Sequence, residues 1–230
     1  MEPRLMLQVG MICIAIMVGC GGKDHQAGTN FSVANVIAKD LEEVVQEGHS
    51  IQPKHENLPL TRYLSDKDHS SISFQTGHWE IVDLIGWFED FQVVMYSDSA
   101  DFSDAVVYAE ADPASIRMPN MKMAQTASKA PYIDSENYPV VSFESRRITL
   151  ESAGKYTLDG VFNMNGVDKL ITFEVLFKGY AYPGEKSICG FKALGKINRH
   201  DFNIAGDDRL HSGKAVHGDT IEIRMDLRME

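Results

Sequence analysis

Short segments in which apolar and polar residues alternate recur throughout residues 62–229 of this chain. The clearest runs from Ile221 to Arg228, where every second residue is apolar and each intervening one is charged. Successive side chains of a β-strand point to opposite faces, so this pattern predicts a ribbon with one face in an apolar interior and the other in water. Similar alternation runs through residues 156–162, 171–177 and 189–197. The pattern predicts an all-β domain, built as a sandwich or a barrel.

Turn signals separate about eight to ten strand candidates. The strongest is Asn165-Gly166, because a type I′ hairpin turn needs positive φ at both central positions. Residues 118–130 lack alternation and are rich in Met, Ala, Lys and Gln, which predicts a short helix or a loop over the sheet. Upstream, Ser32 can cap an amphipathic helix with an apolar stripe along residues 33–45. The rest of residues 20–60 has no period and predicts a tether.

The N-terminus has the pattern of a signal peptide. Residues 6–19 are largely apolar and follow Arg4, but they fall short of the roughly 18 residues that a spanning helix needs. The segment ends in Met17-Val18-Gly19-Cys20, which resembles a bacterial lipoprotein cleavage motif. The resemblance implies a signal peptide at residues 1–19, lipidation of Cys20, and an outer-membrane anchor facing the periplasm. An ordinary cleaved signal, or a short buried helix, is the alternative.

Composition excludes some classes of partner. The 230 residues contain 43% hydrophobic residues and predict one principal domain at residues 61–230. The net charge of −11 repels phosphate backbones, which argues against nucleic acid. Cys13 would leave with the signal peptide and Cys20 would carry lipid, so Cys189 would be a lone thiol. Because Cys189 shares the parity of Phe191, we expect it to be buried and unreactive.

The landmarks that follow Thr61 form an ordered set. They include Tyr63, His69-Ser70, Ile72-Ser73-Phe74, Gly86-Trp87-Phe88, Asp134 to Pro139, Gly166-Val167 and Ile197 to Phe202. This order resembles the YceI-like family of polyisoprenoid-binding, lipocalin-like periplasmic proteins. The resemblance implies an elongated, eight-stranded antiparallel β-barrel whose bore binds an isoprenoid-type lipid, such as a quinone or a polyprenyl carrier.

One departure from the family pattern lies in the predicted helix or loop. The family usually has an Arg-Asp pair and then a His before the Tyr-Pro strand, whereas this chain has Met123-Ala124 and Thr126-Ala127. The resemblance therefore implies a more apolar rim, and a ligand that differs from that of relatives with the charged residues.

Aromatic residues are the candidates for contact with a lipid. Parity alone does not separate a hollow bore from a solid core, and only the resemblance favours the hollow one. The candidates are Phe74, Trp87, Phe88, Phe91, Phe143, Phe162, Phe173 and Phe191. A lipid head group also needs polar partners at one mouth, for which Asn198 and Arg199 are the candidates, followed by Asp201, His69 and His78. A structural ion pair between Arg199 and Asp201 is the alternative.

The sequence contains no complete catalytic or metal-binding motif. Two His-Asp sets, His200 with Asp201 and His69 with Asp66, could exchange protons, but neither has an evident nucleophile or orienting group. The spacing of the histidines around His211 matches no known set of metal ligands. We therefore expect a non-catalytic lipid-binding module without a resident cofactor or metal. An envelope interaction protein with a solid core is the alternative, followed by an enzyme that acts on a hydrophobic substrate, and a homodimer stays open.

Overall fold

A computed structural model describes residues 61–184 and 187–230. The predicted signal peptide, the tether with its helix, and Cys20 lie outside the described residues. Within these residues, one α-helix, α1 (Met121–Ala127), interrupts a run of strands. The strands are β1 (Arg62–Leu64), β2 (Ser71–His78), β3 (Val82–Phe88), β4 (Phe91–Tyr96), β5 (Val106–Ala111), β6 (Ile116–Arg117), β7 (Val141–Ser152), β8 (Lys155–Met164), β9 (Val167–Ala181), β10 (Ile188–Asn198) and β11 (His217–Met229).

These strands form one antiparallel sheet that curls into a half-barrel. Its order is β1-β4-β5-β7-β8-β9-β10-β11-β2-β3-β6. Leu64 and Glu230 exchange backbone hydrogen bonds of 2.8 and 2.9 Å, so β1 connects β4 with the end of β11. The all-β prediction is confirmed, but the count of eight strands is wrong, since the described residues contain eleven. Strands of two or three residues, such as β6 and β1, are too short to show alternation.

Local sequence accounts for the elements that were predicted. Asn165 and Gly166 have φ values of 51° and 71° and connect β8 to β9, as a type I′ turn requires. Asn120 caps α1, because its side chain accepts a hydrogen bond of 2.9 Å from the backbone N–H of Lys122. In β11, Ile223 and Leu227 are buried, as the alternation predicts.

The core fills the concave side of the half-barrel. Cys189 lies in it, as expected, and burial raises the pKa of its thiol to about 11. Two inward-facing glycines, Gly86 and Gly195, leave room for the rings of Phe74 and Phe173 on the paired strands. A Cβ atom at either glycine would lie 2.4 or 2.5 Å from a carbon atom of the opposing ring. The glycines therefore determine where these two rings can lie.

The strand β3 leaves part of one edge without a neighbour. It pairs with β2 from Val82 to Phe88, but with β6 only at Trp87 and Phe88. Within the described residues, positions 82–86 have no strand on this second side. The half-barrel is therefore open beside the first part of β3.

Candidate ligand-binding cavity

The inward side chains of β2, β3, β5, β7, β8 and β11 and one side of α1 enclose a cavity of about 330 Å³. Most of the lining is aliphatic or aromatic. The apolar residues are Ile72, Phe74, Leu84, Phe88, Ala109, Ala111, Met118, Met123, Ala127, Ile133, Val141, Phe143, Phe162, Met164, Ile204, Ile221, Ile223 and Met225, and the polar ones are Thr76, Glu110, Lys122, Thr126, Tyr132, Ser142 and His217. Its volume falls at the lower end of the range of about 300–1,000 Å³ for small-molecule sites.

The other half of the interior is almost filled. There the ring of Phe102 lies 5.1 Å from that of Phe191 and 5.2 Å from that of Phe177, in edge-to-face contacts. Only about 50 Å³ remains between Phe143, Phe173, Phe191 and their neighbours. The half-barrel is therefore hollow at one end and packed at the other, so both interpretations of the aromatic residues describe part of it.

The predicted aromatic residues divide between these two regions. Phe74, Phe88, Phe143 and Phe162 line the larger cavity, whereas Phe173 and Phe191 line the smaller one, which Phe143 also reaches. Phe91 is buried in the core but lines neither cavity.

Trp87 lies on the outer face, with 39% of its surface exposed. The prediction that it faces the interior is wrong, because adjacent strand residues point to opposite faces and its neighbours Gly86 and Phe88 take the buried positions.

Arg199 is a structural residue of the turn that follows β10. It is 4% exposed, and its guanidinium donates to the carbonyl oxygens of Ile204 at 3.1 Å and Gly218 at 3.2 Å. Its Nη2 also donates to Asp207 at 2.8 Å and Asp219 at 3.1 Å. These bonds occupy the guanidinium, which does not line the 330 Å³ cavity. The placement of Arg199 at the mouth of the cavity is therefore wrong.

The residues beside Arg199 also have structural partners. The side chain of Asn198 accepts a hydrogen bond of 3.0 Å from the backbone N–H of His200. Asp201 lies 3.7 Å from Lys169 and does not pair with Arg199. His200 bonds to Asp219 at 2.9 Å, and this bond is the main factor that lowers the pKa of that carboxyl.

Tyr132 and His217 contribute polar groups to the lining that sequence analysis did not assign. The side-chain amide of Asn165 donates to the carbonyl of Tyr132 at 2.8 Å and so fixes the loop that carries this tyrosine. The ring centroid of His217 lies 5.9 Å from that of Tyr132 and 5.3 Å from that of His78. Burial, followed by the nearby His78, lowers the pKa of His217. His217 has the same parity as the inward Ile221, which is the signal that could have identified it.

The partly exposed lining residues mark where the cavity opens. Among them, Thr76, Leu84, Tyr132 and His217 are half-buried, and Lys122 and Thr126 are exposed. They come from the β2–β3 hairpin, the Tyr132 loop, the start of β11 and α1. The cavity therefore opens beside the unpaired part of β3, and polar groups are present at this opening.

Glu110 is among the residues that border the cavity, but it lies between the inward-facing Ala109 and Ala111, so its side chain points to the opposite face of β5. Burial raises the pKa of its carboxyl to about 7. Its Oε1 is buried without a hydrogen-bond partner among the described residues. An unpaired buried carboxylate is costly, so burial favours the protonated form of Glu110.

The His69–Asp66 pair, one of the two candidates for proton transfer, lies outside the cavity. His69 bonds to Asp66 at 2.7 Å on the surface, and neither residue lines the cavity. In the part of the chain that the structure describes, no three His, Cys, Asp or Glu residues are grouped to hold a metal ion. Over the same residues, no helix has the length and apolar character needed to cross a membrane.

Comparisons with known proteins agree with this architecture. A UPF0312 protein of Staphylococcus aureus (strain N315), SA2479, is 26% identical over 166 residues, which cover 71% of this chain and 94% of that protein. The crystal structure of Burkholderia cenocepacia BcnA matches with a TM-score of 0.61 and 21% identity, over 71% of this chain and 98% of that one. A polyisoprenoid binding domain from Saccharophagus degradans matches with a TM-score of 0.51 and 12% identity, over 76% and 99% of the two chains. Residues 63–229 match the YceI-like domain, and because this match spans most of the sequence, the chain belongs to the YceI-like family.

Proposed function

We propose that this protein binds an isoprenoid-type lipid, such as a quinone or a polyprenyl carrier, in the 330 Å³ cavity. The observation that carries the proposal is an apolar cavity with a few polar groups at its opening, which is the usual composition of a site for an apolar small molecule. The family assignment and the structural likeness to a polyisoprenoid binding domain support the same ligand class.

The polar groups at the opening suit a ligand with one polar end. The hydroxyl of Tyr132 and the imidazole of His217 can donate hydrogen bonds to a carbonyl oxygen of a quinone, and the ammonium group of Lys122 can approach a phosphate. In this arrangement the chain of the lipid lies against Phe74, Phe88 and the other apolar lining residues. Binding of this kind needs no catalytic step, so we propose a carrier or sequestering role.

We further propose that lipidated Cys20 anchors the protein to the outer membrane, with the cavity-bearing domain in the periplasm. The sequence motif at residues 17–20 supports this part of the proposal, and those residues lie outside the described region. Several acyl chains on one cysteine give stable attachment, whereas a single chain gives only marginal binding. The anchor would keep the domain close to a membrane that contains isoprenoid lipids.

The test is native mass spectrometry with organic extraction, on a chain that starts at residue 21 and is purified from a bacterial host. The SA2479 relative is covered over 94% of its length by 166 residues of this chain, so the domain is expected to fold without the leader. The expected result is a co-purifying isoprenoid at about one per chain, since the 330 Å³ cavity is a single apolar site. A ligand-free mass that stays unchanged with added quinones and polyprenyl phosphates would refute the proposal and favour an interaction protein.

Two neighbouring substitutions show whether the cavity is the site. Leu84→Trp adds bulk at a lining position, so the amount of bound lipid should fall sharply. Ile85→Trp is the matched control, because Ile85 is the next residue of β3, is 50% exposed and does not line the cavity. Equal loss of lipid in the two variants would contradict the assignment of the cavity.

A further inference from the structure

The β2–β3 hairpin exposes more apolar surface than any other short segment of the described residues. Five large apolar residues lie within nine consecutive positions and are 39–74% exposed: Trp79, Ile81, Val82, Ile85 and Trp87. Isolated exposed apolar residues are normal, but five within one hairpin indicate a segment that can meet another molecule or a membrane.

The tip of this hairpin has an unusual backbone. Trp79 and Glu80 have φ values of 55° and 59°, and the N–H of Ile81 donates to the carbonyl of His78 at 3.2 Å. Positive φ at two successive positions normally selects Asn and Gly, because bulky side chains are strained there. A tryptophan at such a position is an outlier that stability does not explain, and outliers of this kind concentrate at functional sites.

Aromatic contacts connect this tip to the cavity. The ring of Trp79 stacks on that of His78 with a centroid distance of 4.6 Å, and His78 lies 5.3 Å from His217 in the cavity lining. Thr76 and Leu84, on the two strands of the same hairpin, also line the cavity. The tip of the hairpin therefore borders the opening of the cavity.

We propose that the tip of the β2–β3 hairpin, residues 79–82, inserts into the surface of a lipid bilayer and brings the cavity opening against it. This inference rests on the proposed function, because an isoprenoid cargo must enter and leave through a bilayer. Tryptophan suits such a position, since its ring is apolar and its indole N–H can bond to the wet interface.

The rest of the chain is compatible with this arrangement. Forty residues separate Cys20 from Thr61, which is enough chain for an anchored domain to turn the hairpin towards its own membrane. Lys214 lies 3.2 Å from Glu80 and compensates the charge of the turn. With a net charge of −11, the protein would gain little from anionic lipids, so insertion of apolar side chains must drive the contact.

Intrinsic fluorescence tests this directly, because Trp79 and Trp87 are the only tryptophans of the chain. Trp87→Phe in the chain from residue 21 leaves Trp79 as the single reporter. On addition of phosphatidylcholine vesicles without isoprenoid, its emission should shift to shorter wavelength and its quenching by acrylamide should fall. Neither change should depend on salt concentration.

Two substitutions at positions of similar exposure complete the test, both made in the Trp87→Phe variant. Ile81→Glu should weaken partition into the vesicles about tenfold or more, because Ile81 is 74% exposed at the tip and would no longer bury its side chain in lipid. Leu170→Glu is the matched control, since Leu170 is 76% exposed on β9, and it should leave partition unchanged.

Several results would overturn the docking proposal. The first is the absence of any shift in Trp79 emission at saturating lipid, and the second is an equal loss of vesicle binding in both glutamate variants. The third is binding that needs anionic lipid and disappears in salt. The fourth is burial of Trp79 when the protein is concentrated without vesicles, because this would mean that a second copy of the chain covers the hairpin. Because the vesicles contain no isoprenoid, the outcome is separate from the test of cargo binding. If the chain binds isoprenoid but does not bind the vesicles, only the docking proposal is refuted. If the chain binds the vesicles but no isoprenoid, only the proposed function is refuted.

Discussion

Two glycines that face aromatic rings should respond differently to the same substitution. A Cβ atom at Gly195 would lie 2.5 Å from Cε1 of Phe173, and Phe173 is 1% exposed in the packed half of the interior. A Cβ atom at Gly86 would lie 2.4 Å from Cζ of Phe74, but this ring is half-buried and borders the 330 Å³ cavity. Non-bonded carbons prefer about 3.5–4.0 Å, so each ring would have to retreat by about 1 Å or more.

The change in the free energy of unfolding depends on the space into which each ring can move. Overpacking a filled core costs about 1–3 kcal/mol, whereas replacing glycine by alanine where it fits stabilises by about 0.4–1 kcal/mol through the unfolded chain. Gly195→Ala should therefore lower the free energy of unfolding by about 2 kcal/mol. Gly86→Ala should change it by less than about 1 kcal/mol, because the ring of Phe74 can turn into the cavity.

Urea unfolding followed by circular dichroism measures both free energies, and an unchanged denaturant slope shows that only stability has changed. Gly86→Ala should also reduce the amount of co-purifying lipid, because the displaced ring takes up cavity volume, whereas Gly195→Ala should not. Equal destabilisation by the two substitutions would refute the reasoning, since it would mean that the space beside Phe74 is not available to the ring.

The remaining predictions concern two buried ionisable groups. Arg199→Lys should lower the free energy of unfolding by about 2 kcal/mol, because one ammonium group cannot replace the guanidinium donors to the carbonyl oxygens of Ile204 and Gly218. Thermal unfolding checks this loss of stability. Lipid binding should persist in this variant, as native mass spectrometry would show. Burial raises the pKa of Glu110 from 4.5 to about 7, so the folded state holds a proton that the unfolded chain releases within this window. Stability should therefore fall as the pH rises from 4.5 to 7, and Glu110→Gln should be more stable than the parent at pH 8 by on the order of 2 kcal/mol but not at pH 4, as urea unfolding at the two pH values would show.

Sequence reasoning succeeded where a short local pattern determines structure. The alternation around Ile223 and Leu227 placed one face of β11 inside, because side-chain direction in a strand depends only on parity. The Asn165-Gly166 pair fixed the β8–β9 turn, since few other residues accept positive φ there. The absence of alternation after Met118 identified the region of α1, because a helix does not have the two-residue period of a strand.

It failed where the determinants are distant in sequence. Trp87 and Phe88 are adjacent, so only one of them can face the interior, and the close contact of Gly86 with Phe74 on the paired strand decides which. The partners of Arg199 include Asp219, twenty residues away, on a strand whose approach the local sequence does not reveal. Short polar contacts between distant segments have no periodicity from which they could be predicted.

The residues that depart from the family pattern lie on α1, which borders the cavity. Of Met123, Ala124, Thr126 and Ala127, which the resemblance places where relatives have charged or imidazole groups, all except Ala124 line the cavity. The expectation of a more apolar rim therefore concerns the wall of the cavity itself and not a distant surface. Since each of these side chains is neutral, the proposed function assigns recognition of a polar head group to Lys122, Tyr132 and His217 at the opening. A head group held only at the opening lies next to the exposed hairpin, where a cargo that passes to and from a bilayer has to be released.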